Sequence, residues 1–257
     1  MKRLFISLAI LAGISLSSCN DSFLEKTPVT DLTENNAFNS YDNFKAFMWP
    51  CYEMFTNNTI RTSLQGFGQD GQYKGDMAAG YFQQKYESGY NEFAYQTVAS
   101  VASGNGWDFK SFIRRVNIML SHIDNSSMTE AQKDHWRAVG YFFHSFWYME
   151  LIDRFGDVPW VDQVLQEDSP EAYGPRVDRK TVADKVLERL QWAEQNIGNF
   201  TSQDGDNTIN QDCVRAVISR FGLREGTWRK YHELGDAEKY LQECVRASEQ
   251  LFSLGLT

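Results

Sequence analysis

Trp136-Arg137-Ala138-Val139-Gly140-Tyr141-Phe142-Phe143-His144-Ser145-Phe146-Trp147-Tyr148, answered downstream by Arg215-Ala216-Val217-Ile218-Ser219-Arg220-Phe221, decides the fold. Arg-Ala-Val opens both stretches, and Phe143 and Phe221 stand at the same offset from it. A Gly-Asp turn follows each, at Gly156-Asp157 and Gly235-Asp236, and then a second amphipathic stretch begins. There Ala183, Lys185, Leu187, Ala193 and Ile197 line up with Ala237, Lys239, Leu241, Ala247 and Leu251. A small alanine at fixed helical positions lets neighbouring helices approach closely, while the large residues fill the gap. Such repeated pairs follow the logic of tetratricopeptide repeats, whose standard unit is about 34 residues. Insertions stretch the units here, chiefly Val158 to Asp178. Strand signals are sparse. The spacing predicts an all-α, tetratricopeptide-like, right-handed superhelix of helix pairs with long irregular loop insertions, which would form the recognition surface.

Upstream, Ser40 is placed to cap a helix with Phe44, Phe47, Met48, Cys51 and Phe55 on one face. Pro50 inside that pattern lacks an N–H and should kink it. From Asn57 to Gly106 helical periodicity is weak and glycine is frequent. Periodicity returns at 107–123, where Phe109, Phe112, Ile113, Val116, Met119 or Leu120, and Ile123 make a broad apolar stripe.

The first residues read as an export signal. Lys2 and Arg3 precede an apolar run from Leu4 to Ile14 that is too short to span a bilayer. Leu16-Ser17-Ser18-Cys19 resembles a bacterial lipobox, which implies a signal peptide over 1–18, cleavage before Cys19 and acylation of Cys19. Several acyl chains hold a protein stably at a membrane where one does not. Asn20 to Glu34 then reads as a tether, and residues 19–257 as one mature helical domain. The 257-residue chain carries a net charge of −9, which disfavours nucleic acid as a partner. Cys51, Cys213 and Cys244 remain beside Cys19. Three thiols leave room for one disulfide or for buried, inert side chains, and no C-x-x-C metal or redox site occurs.

Motifs of catalysis are weak. Gly66-Phe67-Gly68-Gln69-Asp70-Gly71 fits G-x-G-x-x-G but follows no strand, so a Gly-rich loop accounts for it better than a dinucleotide site. Asp204, Asp206 and Asp212 lack the glycine and terminal glutamate of a calcium loop and read as a solvated acidic turn. His122, His135, His144 and His232 are not spaced as a zinc pair, and no nucleophile elbow occurs. His144, within a strongly aromatic helix, reads as a hydrogen-bonded packing residue. No metal and no cofactor are expected.

Three motifs converge on one family. Trp136-Arg137-Ala138-x-x-Tyr141-Phe142 continues to Leu151-x-x-x-Phe155-Gly156-Asp157-Val158-Pro159. Arg215-Ala216-x-x-x-Arg220 ends in Gly226-Thr227-Trp228-x-x-Tyr231. Trp107-x-x-x-x-x-Ile113-x-x-x-Asn117 follows the Gly-rich region. With the lipobox, the chain resembles SusD/RagB-type nutrient-binding outer-membrane lipoproteins. The resemblance implies a lipid-anchored, surface-exposed protein without catalysis. It would bind oligosaccharide and help deliver it to a SusC-like TonB-dependent outer-membrane transporter. It also implies that Gly156 permits a helix-ending turn, that Pro159 stops the helix, and that Arg137 and Arg220 make buried ion pairs. Family members ordinarily continue through a C-terminal half that supplies much of the glycan site, and that half is expected to be absent here.

Sugars present apolar C–H faces and polar edges, so their sites combine aromatic platforms with amide, carboxylate and guanidinium groups. Residues 61–107 have that composition, with Gln69, Asp70 and Tyr90 contributing to it, and the candidate ligand residues are Arg61, Tyr73, Asp76, Tyr81, Gln83, Tyr86 and Trp107. Binding of peptides or another nutrient, a surface hydrolase and a pure scaffold are the alternatives.

Overall fold

The computed structural model describes residues 38–55, 110–205 and 207–255. Among them are seven α-helices: α1 (Tyr41–Met48), α2 (Lys110–His122), α3 (Glu130–Phe155), α4 (Arg179–Asn196), the single turn α5 (Thr201–Asp204), α6 (Gln211–Tyr231) and α7 (Ala237–Ser253). The leader, Cys19, the Gly66–Gly71 motif and all seven candidate ligand residues lie outside the described residues. No strand occurs among the described residues; a single antiparallel bridge joins Val158 and Val177.

The helices pack as the repeat predicts. Helix α2 packs on α3, α3 on α4, α4 on α6 and α6 on α7, so the matched stretches form the pairs α3/α4 and α6/α7. Thr129 starts α3 with a capping box: its Oγ1 accepts from the Gln132 N–H, and the Gln132 side chain accepts from the Thr129 N–H at 3.0 Å. Gly156, at φ 69°, ends the helix while its N–H returns to the Ile152 carbonyl at 3.0 Å. Between these ends Trp136, Val139, Phe142, Phe143, Phe146, Tyr148 and Ile152 are buried, because α2 covers one side of α3 and α4 the other.

Equivalent positions differ where the neighbours differ. Ala183, Leu187 and Ala193 of α4 are buried between α3 and α6. Their counterparts on α7 are Ala237 and Leu241, half-buried, and Ala247, fully buried against α6. The close approach of α6 to α7 passes through Gly222, where a Cβ would stand 2.5 Å from the Tyr240 carbonyl oxygen and 2.9 Å from the Cys244 nitrogen.

Ser40 caps α1 as its position suggests, accepting from Asn43 N–H. Pro50 acts differently from a kink. The α-helix stops at Met48, and residues Trp49–Phe55 continue as a 3-10 helix. Trp49 keeps α-region angles (φ −51°, ψ −41°), so it is the N–H missing from Pro50 that interrupts the α ladder, and the tighter helix carries the chain on.

The two arginines expected in buried pairs sit elsewhere. Arg137 pairs with Asp124 at 2.7 Å and Asp134 at 2.9 Å at the surface, where the Asp124 side chain is 81% exposed. Arg220 is exposed. The buried guanidinium is Arg229, 1% exposed. All three described cysteines are free thiols, and burial pushes the Cys51 thiol up to about 12, against the opposing charge of Arg115. Cys51 is therefore an inert packing residue.

Candidate functional site

Among the described residues, the insertion between α3 and α4 is the segment most elaborately held, and buried polar side chains hold it. The Tyr148 hydroxyl donates to the Pro159 carbonyl at 3.0 Å and accepts from the Val161 N–H at 2.7 Å. Nε2 of His144 donates to the Val161 carbonyl at 2.9 Å. From α2, the Asn117 amide donates to the carbonyls of Val161 at 3.1 Å and Gln163 at 3.0 Å. Tyr148 and His144 are fully buried and Asn117 is 2% exposed. The helices thus supply the partners that an irregular backbone lacks when it lies against a core.

His144 is neutral in this setting. Complete burial lowers its pKa well below the usual imidazole range, and the nearby Arg189 charge lowers it further. With Nε2 carrying the proton, it is the packing residue its aromatic surroundings suggested. Trp160 closes the same cluster: its ring lies 4.4 Å from Tyr148, and the Arg189 guanidinium sits over it at 4.8 Å. Its indole N–H donates to Asp162 at 2.9 Å, so this ring is committed to packing.

Replacing Tyr148 with phenylalanine keeps the ring and strips two backbone groups of their partner. The expected loss is about 2 kcal/mol of stability, measured by urea denaturation. An unchanged midpoint would mean that water takes the hydroxyl's place.

Beyond these clamps the insertion faces a cleft of about 510 Å³ lined by Ile113, Arg114 and Asn117 of α2 and by Pro159, Val161, Gln163, Leu165, Glu171, Ala172, Gly174 and Arg176. Arg114 donates to the Leu165 carbonyl at 2.7 Å. The far wall rests on the 3-10 turn Pro170–Tyr173, and the Tyr173 hydroxyl braces it by donating to the Glu167 carbonyl at 3.0 Å.

A second, more polar pocket of about 320 Å³ lies where α5 meets α3 and α6. Its centre corrects the reading of Asp204 as part of a solvated turn. The Asp204 side chain is 4% exposed and accepts from the Tyr41 hydroxyl, with Lys45 Nζ at 3.3 Å and His135 Nε2 at 3.6 Å. Burial lowers the pKa of His135 against the pull of Asp204, and its Nδ1 meets the Gly198 carbonyl at 3.2 Å. Asp212, at the start of α6, pairs with Arg215 at 3.2 Å. Among the described residues no group of three or more His, Cys, Asp or Glu side chains could hold a metal ion.

Of the clamp residues, sequence reasoning singled out His144 as a hydrogen-bonded packing residue and missed the roles of Tyr148, Asn117 and the polar pocket. The one available signal was Asn117, a polar residue on the otherwise apolar face of Ile113 and Val116.

A scaffold of helix pairs with a buttressed insertion defines a tetratricopeptide-like helical fold. A profile of the SusD-like family, described as starch-binding and associating with the outer membrane, matches residues 22–223. The chain belongs to this family. Among solved structures, a SusD-like protein from Bacteroides fragilis aligns with a TM-score of 0.61 at 18% identity, over 90% of this chain and 42% of that one. NanU of B. fragilis aligns at 0.59 and 13% identity, over 88% and 44%. A SusD-like carbohydrate-binding protein from Bacteroides vulgatus aligns at 0.53 and 17% identity, over 81% and 45%. At these identities the likeness is one of fold, and the chain spans less than half the length of each. No curated protein matches the chain.

Proposed function

We propose that this protein is a cell-surface lipoprotein that binds oligosaccharide and delivers it to a SusC-like TonB-dependent transporter in the outer membrane. The observation that carries the reading is the family match over residues 22–223. The lipobox-like Leu16-Ser17-Ser18-Cys19 supports an anchor at Cys19. The helix pairs serve as scaffold and transporter contact. Arg61, Tyr73, Asp76, Tyr81, Gln83, Tyr86 and Trp107 supply the glycan contacts, and the protein binds its sugar without turning it over.

The test is a glycan array on the purified chain, followed by titration of the best oligosaccharide. Tyr81→Ala is expected to weaken binding by about 1–3 kcal/mol, the worth of a stacking platform, at unchanged thermal stability. Unchanged affinity would remove Tyr81 from the site. Absence of binding to any glycan, with capture of peptides instead, would favour the peptide alternative. For the anchor, Cys19→Ala should leave the outer-membrane fraction on cell fractionation; normal retention there would contradict acylation.

A further inference from the structure

We propose that the cleft between α2 and the insertion binds an aliphatic carboxylate: a short apolar body ending in –COO⁻, such as the C-terminal residue of a peptide. This proposal does not rest on the proposed glycan contacts, and either reading stands if the other fails.

Its chemistry is not that of a sugar platform. Among the described residues, no aromatic ring lines the cleft, and its floor is Ile113, Pro159, Val161, Leu165 and Ala172. Such a floor accommodates branched or straight hydrocarbon and gives a sugar ring no aromatic face to stack on. The volume of about 510 Å³ falls within the range of small-molecule sites, roughly 300–1,000 Å³.

The charge at the cleft points to an anion. Arg114 and Arg176 both line it, and among the described residues neither pairs with a carboxylate. Arg114 spends one N–H on the Leu165 carbonyl, which fixes the guanidinium and leaves its other donors available. Glu171 stands on the same wall, so two guanidiniums face one carboxylate. Guanidinium forks match the two oxygens of a carboxylate in geometry as well as in charge.

The cleft is also pre-formed. One wall is α2, and on the other Pro159, Val161 and Gln163 are pinned from behind by Asn117, His144 and Tyr148. Binding therefore does not require ordering of the backbone over that stretch. Asn117 adds a preference. Its Oδ1 is buried without a hydrogen-bond partner, although its amide nitrogen makes two bonds. A ligand amide N–H at this wall supplies the missing donor, which a peptide terminus has and a fatty acid lacks.

Isothermal titration calorimetry on the full chain tests this with three probes: N-acetyl-alanyl-leucine, its C-terminal amide and octanoate. The acid should bind about tenfold more tightly than the amide, the equivalent of one charge-assisted hydrogen-bond pair. Arg176→Gln should remove that difference. Ala172→Trp, at an exposed position, should abolish binding while leaving the helical circular dichroism unchanged. A dipeptide acid that binds more tightly than octanoate assigns the ligand to peptide termini, and the reverse order assigns it to free fatty acids. Equal affinity for acid and amide, binding that survives Ala172→Trp, or no binding of any probe would overturn the proposal.

Discussion

Arg229→Met is expected to destabilise the helical scaffold by about 4 kcal/mol, the range found when one partner of a buried ion pair is removed. The guanidinium is 1% exposed and each of its three nitrogens donates. Nε donates to Glu225 at 2.8 Å, one terminal nitrogen to Asp236 at 2.8 Å, and the other to the Tyr240 hydroxyl at 2.9 Å and the Lys180 carbonyl at 3.2 Å. Burial opposes the charge, but the bonds it donates to Glu225 and Asp236 outweigh it and raise the Arg229 pKa above its usual value. Methionine keeps the apolar stem and leaves the buried Glu225 with Arg179 alone, at 2.8 Å. Three elements lose their common partner at once: α4 through Lys180, α6 through Glu225 and α7 through Tyr240. Chemical denaturation measures the effect. A loss below about 1 kcal/mol, typical of exposed pairs, would show that the network is hydrated in solution.

Gly222→Ala should cost about 3 kcal/mol, at the upper end of ordinary overpacking. The added methyl would meet the Tyr240 carbonyl oxygen at 2.5 Å and the Cys244 nitrogen at 2.9 Å, both backbone atoms of α7. Neither can rotate away, so α6 and α7 must separate, and the buried Ala247 contact is lost with them. Gly140→Ala is the control. Its nearest obstacle is the terminal methyl of Met119 at 2.6 Å, the flexible end of a side chain. It should cost about 1 kcal/mol or less. Equal thermal shifts for the two variants would mean that the helices are not held at the depicted spacing.

The helix pairs were readable in advance because their signal is local. Apolar spacing at 3.6 residues, small residues at the crossing points and Gly-Asp turns are each visible within a short window. What Pro50 does was less readable. A proline forbids the continuing α-helix but does not say whether the chain kinks or tightens; here the 3-10 form seats Tyr52 against Phe143 of α3 and lets its hydroxyl accept from the Ile209 N–H.

Buried charge was least legible. Glu225 and Arg229 are four residues apart, and on sequence they look like an ordinary surface pair. Only the arrival of α7 and the end of α4 encloses them. Arg137 and Arg220, which the family motifs single out, stay nearer the surface: Arg137 pairs with the exposed Asp124, and Arg220 is itself exposed. The same holds at the insertion: Tyr148 and His144 look like two more members of an aromatic helix. Their role depends on a carbonyl and an N–H more than ten residues away.

The bridge between Val158 and Val177 has a consequence for how this protein can diverge. Its two hydrogen bonds, 3.1 and 2.9 Å, bring the ends of the insertion together at the base of the helices. The clamps from α2 and α3 reach no further along it than Gln163, apart from the Arg114 bond to Leu165. Everything between Leu165 and Arg176 therefore behaves as an exchangeable cassette in a fixed socket. Lengthening a closed loop twofold costs only about 0.6 kcal/mol, so segments of different length and chemistry can be swapped in without disturbing the helices. Specificity at this edge can change in single genetic steps, while the scaffold that carries it stays the same.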